Sequence, residues 1–201
     1  EGWSNADIAA YFELQGVASR DEAMLFFGSP PPEIVSLLES LGPARKNFGT
    51  EGYLFPDTYR IFRDASLADI TGKMLSNFDR KMTPELRDEI ARQKRTVSEI
   101  VIMASLIEKE VASGEDRAVV SGILWKRLAA GIPLQVDATV AYAKLQITNY
   151  KLQTNGKISL EDTKIDSLYN TYQYRGLPPG PIANPGLSAI RAAIYPKSSP
   201  H

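Results

Sequence analysis

Apolar residues recur at helical spacing along most of this chain, and the polar residues that interrupt them are of the kinds that start and stop helices. Ser4 precedes "NADIAAYFELQG", where Ile8, Ala9, Phe12 and Leu14 supply an apolar face and Gly16 a stop. Ser19 opens a second helix in "SRDEAMLFFG", and "PPEIVSLLESLG" predicts a third. Further on, "SLADITGKMLSNFDRKM" is amphipathic, and "TPELRDEIARQ" pairs Thr83 as N-cap with Pro84 at the first helical position. In "TVSEIVIMASLIEKEVAS", Thr96 and Glu99 make a capping box. The stretch "GEDRAVVSGILWKRLAAGIP" runs from acids to Lys126 and Arg127, then halts at Gly131 before Pro133, the charge order a helix dipole favours. Short helices follow in "DATVAYAKL" and in "LSAIRAAIY", the latter closed by Pro196. Turn residues mark "GSPPP", "GPARKNFGTEG" and "YNTYQYRGLPPGPIANPG" as connections. No internal repeat or low-complexity tract is visible.

One segment breaks the helical pattern. "EGYLFPDTYRIF", residues 51–62, is aromatic and β-branched, which predicts a strand with an edge or break at Pro56 and Asp57. Asp57 after Pro56 reads first as turn chemistry. Helices together with this strand predict an α+β fold.

The most apolar helix ends in two carboxylates. Ile100, Ala104, Ile107 and Val111 form its apolar centre, and Ile102, Met103 and Leu106 widen it almost all round, the signature of a buried helix. Glu108 lies beside Ala104, and Glu110 beside Met103 and Leu106. A carboxyl held among such side chains has its charged form disfavoured, which suits a general acid. Spacing alone does not choose between the two, and a helix end emerging into solvent would also carry glutamates.

Composition narrows the chemistry. Hydrophobic residues at 43% and charged residues at 23% of 201 exclude wholesale disorder. Lys and Arg at 23 nearly balance Asp and Glu at 24, so nothing in the net charge points to nucleic acid. The net charge says nothing against a neutral polymer such as a glycan. The absence of cysteine excludes thiol catalysis, disulfides and thiolate metal sites, and the one histidine is the terminal His201, to which we give no role. Carboxylates, tyrosines, lysines and hydroxyls remain as candidate catalysts.

Four segments in order, "EGYLFPDTYRI", "ASLIEKE", "RLAAGIPLQVDATVAYA" and "YNTYQYRGLPPGPIANPGLSAIRAAIYP", together resemble the YceG-like family, the membrane-bound endolytic murein transglycosylases called MltG. The resemblance covers residues 51–196, and "EGWSNADIAAYF" resembles the small LysM-like subdomain that precedes them. It implies a LysM-like subdomain over residues 1–48 and a mixed α/β, helix-rich catalytic domain over 49–201, built around a buried catalytic helix. The family continues past the final helix into a further strand and an Asn- and His-containing segment, so the catalytic domain is expected to be truncated at "YPKSSPH". A bitopic parent anchored by an N-terminal helix is implied, with this part on the outer face of the cytoplasmic membrane, working on peptidoglycan beside penicillin-binding synthases. No cofactor is implied.

By position, the resemblance puts the catalytic glutamate on Glu110 and makes Glu108 a structural neighbour. It marks Gln135, Asp137, Tyr169, Asn170, Thr171 and Tyr172 as substrate-side candidates. Read from residue types alone, Asp137 serves equally well as an N-cap after the Gly131–Pro133 break, and the tyrosines as packing aromatics. The implied reaction cleaves glycan strands internally between MurNAc and GlcNAc and leaves 1,6-anhydroMurNAc ends. One glutamate suffices, because the sugar's own C6 hydroxyl replaces the water of an ordinary glycosidase. Two alternatives stand beside it: a hydrolytic muramidase using Glu110 and Asp137, and a non-catalytic peptidoglycan-binding module of a cell-wall assembly complex.

Overall fold

A computed structural model describes residues 1–42, 49–111, 114–148 and 158–198, without the side chains of 114 and 115. Helices run over Asn5–Leu14 (α1), Arg20–Gly28 (α2), Pro32–Ser40 (α3), Leu67–Lys81 (α4), Pro84–Arg92 (α5), Val97–Glu110 (α6), Gly114–Ala129 (α7), Asp137–Ile147 (α8) and Leu187–Ile194 (α9). The capping residues act as their spacing predicts. Ser4, Ser19, Ser66 and Thr96 each accept from the amide three residues on, and Asp7, Glu22, Asp69 and Glu99 return the bond.

At the centre lies α6, on which Ser98 and every residue from Ile100 to Ile107 are buried. α9 is its main partner, with α7, α8 and α5 around it. Each large side chain withdrawn from water here stabilises the fold by about 1.5–3 kcal/mol. Ser105 is a fully buried polar residue in the middle of this run. Its hydroxyl donates to Ile102 O at 2.7 Å and accepts from the Ile182 amide at 3.1 Å, bringing the loop before α9 onto the helix. Trp125 of α7 donates to Ala193 O at 3.0 Å, beneath the Arg95 guanidinium stacked 3.6 Å from its ring.

The α+β expectation is overturned: among the described residues every regular element is helical, with no strand and no sheet. A LysM-like subdomain is not supported either. Residues 1–42 hold α1, α2 and α3, and the capping boxes at Ser4 and Ser19 commit that region to helix with no extended segment left to pair. The expected boundary at 48–49 adjoins residues 43–48, which lie outside the described residues.

Residues 51–62, expected as a strand, form a succession of turns and irregular chain. Their backbone groups find partners that a ladder would otherwise supply. Asn184 Oδ1 accepts from both the Gly52 and Leu54 amides at 2.9 Å, and Tyr53 N donates back to Thr50 O at 3.1 Å. The aromatic residues are still core, with Tyr53, Leu54 and Phe55 buried. Their hydrophobicity was real but reported burial rather than pairing. Asp57 does turn chemistry: it accepts from the Thr58 amide at 2.8 Å and from Asn77 at 3.0 Å.

Gly52 has φ +89°, and a Cβ there would meet Pro181 Cβ at 2.6 Å and Val101 Cγ1 at 2.8 Å. Gly52→Ala is therefore expected to destabilise the fold by about 1–3 kcal/mol, read as a lower urea midpoint, from left-handed strain and overpacking together.

Candidate active site

Glu108 and Glu110 separate into different environments. Glu108 turns inward, its side chain 5% exposed, and pairs with the equally buried Arg117 of α7 at 2.6 Å. Its other oxygen accepts from the Gly186 amide at 3.0 Å, so one carboxylate ties α6 to α7 and to the start of α9. Arg117 also donates to Val111 O at 3.1 Å. This is a structural ion pair.

Glu110, the last residue of α6, opens instead into a cleft of about 430 Å³. Ser4 and Asp7 of the first helical turn, Lys109, and Asp137, Ala138, Ala141 and Tyr142 of α8 line it as well. Partial burial, then the charge of Asp137, push the Glu110 carboxyl above its ordinary pKa, against an opposing hydrogen bond from the Ala138 amide. It keeps a proton more readily than a free glutamate and remains reachable from the cleft.

Asp137 is not the N-cap of α8; Val136 holds that place and no side chain caps it. The Asp137 carboxylate instead accepts from Tyr172 OH at 2.5 Å. That bond first, with burial and the charges of Asp137 and Glu110 adding to it, pushes the Tyr172 hydroxyl up to about 12, so it stays a donor. Glu110, Asp137 and Tyr172 thus form one electrostatic group. Just before α8, Gln135 has φ +56°, an uncommon conformation for a residue with a side chain. It is held by its amide to Thr171 O at 3.1 Å and by Arg127, which bonds its side-chain oxygen.

The remaining candidates build the wall behind. Thr171 is buried, its hydroxyl accepting from the Val136 amide at 3.0 Å and lying 2.9 Å from Thr139 Oγ1. Asn170 is buried too; its amide donates to Thr163 O and Ile165 O, and its oxygen accepts from the Tyr172 amide. Tyr169 packs on Tyr142, ring centres 4.9 Å apart. The fold thus brings Glu110, Asp137 and Tyr172 together, while Gln135 is tied to Thr171 and Arg127 and Asn170 and Thr171 turn their polar atoms into the scaffold. Sequence reasoning missed Lys109, Tyr142, Ser4 and Asp7, which reach the cleft by packing between elements far apart in sequence.

A larger cleft, about 580 Å³, lies on the other side of α1 between Trp3, Tyr11, Tyr59 and Met74. Its Asp57 is held below the usual carboxylate range by Asn77 and the Thr58 amide, so it is a poor proton donor. Chemistry favours the smaller cleft.

The model of the YceG-like family matches residues 1–200. The chain belongs to this family. Among relatives of this YceG-like chain, the endolytic murein transglycosylase of Streptococcus pneumoniae serotype 2 (strain D39 / NCTC 7466) is 38% identical over 197 residues, 96% of this chain and 35% of that protein. The endolytic murein transglycosylase of Bacillus subtilis (strain 168) is 39% identical over 147 residues, 73% of this chain and 39% of that one. In three dimensions it is similar to a yceG-like protein of Listeria monocytogenes, solved at 2.6 Å, with a TM-score of 0.84 and 32% identity over 99% of this chain and 66% of the other. The YceG-like chain therefore spans little more than a third of the length of these curated relatives.

Proposed function

We propose that this chain carries the catalytic site of an endolytic peptidoglycan transglycosylase, with Glu110 as its acid and then its base. The observation that carries the reading is a carboxyl of raised pKa, open to a cleft and facing the Asp137–Tyr172 pair, in a chain whose relatives are named endolytic murein transglycosylases. Protonated Glu110 gives its proton to the oxygen between MurNAc and GlcNAc, and the bond from that oxygen to C1 breaks. The MurNAc C6 hydroxyl then bonds to C1, and its proton passes to the Glu110 carboxylate, restoring the acid. No water is consumed. The Asp137 carboxylate, held by Tyr172, acts through its charge, which helps Glu110 keep the proton it gives. The same reading places the substrate outside the cytoplasmic membrane, with a membrane anchor and penicillin-binding synthases as proposed neighbours.

Digestion of purified, unmodified peptidoglycan, with products read by mass spectrometry, tests this. Fragments one water lighter than hydrolysis products, absent with Glu110→Gln, are expected. Fragments carrying the added water would make the reaction a hydrolysis, and the place of Asp137 in the same cleft would then make it the second carboxylate.

Asp137→Asn separates the two chemistries again. Its charge raises the Glu110 pKa, so its removal lowers it. A general acid works protonated, and its rate falls as pH rises through its pKa. The variant is therefore expected to keep releasing anhydro products, with the alkaline fall in rate moved to lower pH. Loss of all release at every pH would favour the hydrolase.

A further inference from the structure

Glu51 is a buried acid for which the proposed reaction has no use. Only 7% of it is exposed, and among the described residues no cation lies within ion-pair distance. Three segments converge on it. The Asn5 amide, at the start of α1, donates to both its oxygens at 3.0 and 3.1 Å. Tyr142 OH of α8 stands 3.3 Å from Oε2, and Asn184 Nδ2, before α9, lies 3.3 Å from Oε1. Asn184 Nδ2 also donates to Asn5 Oδ1 at 3.2 Å and to Trp3 O at 3.0 Å, while Asn5 Nδ2 donates to Thr50 Oγ1 at 3.0 Å.

These segments shape the cleft that holds Glu110. Tyr142 is part of its lining, as are Ser4 and Asp7 on either side of Asn5. The titratable groups facing Glu51 are Asp7 of α1, Lys109 of α6 and Tyr142 of α8. Lys109 spends a hydrogen bond on Gly2 O at 3.2 Å, fastening the same segment from the other side. Burial pushes the Glu51 carboxyl up to about 8 and Asp7 adds to this, while the bonds from Asn5 and Tyr142 and the charge of Lys109 oppose it. At neutral pH the knot therefore closes around an uncharged acid. Ionised, it holds a buried charge without a contacting cation, which a protein relieves by opening.

We propose that Glu51 is a positioning residue for the glycan cleft: as a neutral acid it locks Tyr142 and the first turn of α1 into the binding-competent arrangement, and its ionisation releases them. The inference rests on a glycan occupying the Glu110 cleft, and it does not depend on whether the bond is broken with or without water.

Retention on purified peptidoglycan, measured in a Glu110→Gln background across the range spanning pH 8, isolates the effect from catalysis and from Glu110's own titration. If only the neutral form binds, apparent affinity falls in step with its population, about tenfold one pH unit above the midpoint. Adding Glu51→Gln, which keeps the shape and cannot ionise, is expected to preserve neutral-pH retention and abolish that fall. Adding Glu51→Ala, which empties the knot, is expected to lose retention at every pH. An alkaline fall that persists unchanged with Glu51→Gln would overturn the inference, as would a folded Glu51→Ala protein that binds like its parent. Should the alanine variant fail to fold, the glutamine profile decides. Retention by no variant at any pH would also overturn it. The digestion experiment fails or succeeds separately: water-added products with the Glu51-dependent step intact would leave this inference standing.

Discussion

Glu110→Gln is expected to slow release of peptidoglycan fragments by about 10²–10⁴-fold, the range over which a positioned general acid acts. Glutamine keeps the size of the side chain and can still accept from the Ala138 amide, but it has no proton to give the leaving oxygen and no charge with which to take one back. The unfolding temperature is expected to hold or rise slightly, because the substitution removes an acid partly desolvated beside Asp137. Rate assays paired with thermal unfolding check both. A large fall in rate with a large fall in stability would mean that Glu110 serves the scaffold, and an unchanged rate would move the chemistry elsewhere.

Arg117→Met is expected to be the most damaging single change to stability, about 3–5 kcal/mol, because it strands Glu108 as a buried charge. Arg117 and Glu108 are 7% and 5% exposed at the side chain, so water cannot compensate for the lost partner. Urea denaturation of a double-mutant cycle gives the sharper test. Glu108→Leu with Arg117→Met removes both charges, and the pair is expected to cost less than Arg117→Met alone, although the Gly186 amide then loses its acceptor. A double variant as unstable as the sum of the singles would mean that the two side chains act independently.

The helices were legible because their signals are local. Ser4 and Asp7, or Thr96 and Glu99, are three residues apart, and a capping box needs nothing from the rest of the chain. Residues 51–62 were misread because aromatic and β-branched content reports burial on a half-buried surface as much as strand pairing. What decided the matter was Asn184, whose amide oxygen serves Gly52 and Leu54 from 132 and 130 positions away. Glu51 was hidden for the same reason. Its partners Asn5, Tyr142 and Asn184 are far apart along the chain, and the local hint is an acid two residues before the buried run Tyr53–Phe55. What sets the environments of Glu108 and Glu110 apart likewise lies outside their own helix, in Arg117 of the next helix and in Asp137 beyond it. The likeness of "ASLIEKE" to its family pointed to Glu110 where helical periodicity alone could not.

Asn184 also dictates an order of events at the ribosome. Its carbonyl accepts from the Gly2 amide at 3.1 Å, its own amide donates to Trp3 O at 2.8 Å, and its side chain completes residues 50–54. Domains generally fold as they are synthesised, from the amino end, yet here the opening residues cannot reach their final seat until nearly all of the chain described has been made. For most of translation the front of α1 has no dock and Glu51 is wetted and ionised. Final assembly therefore withdraws Glu51 from water, and a chain that stops short of Asn184 lacks the acceptor for the Gly52 and Leu54 amides that flank the buried Tyr53.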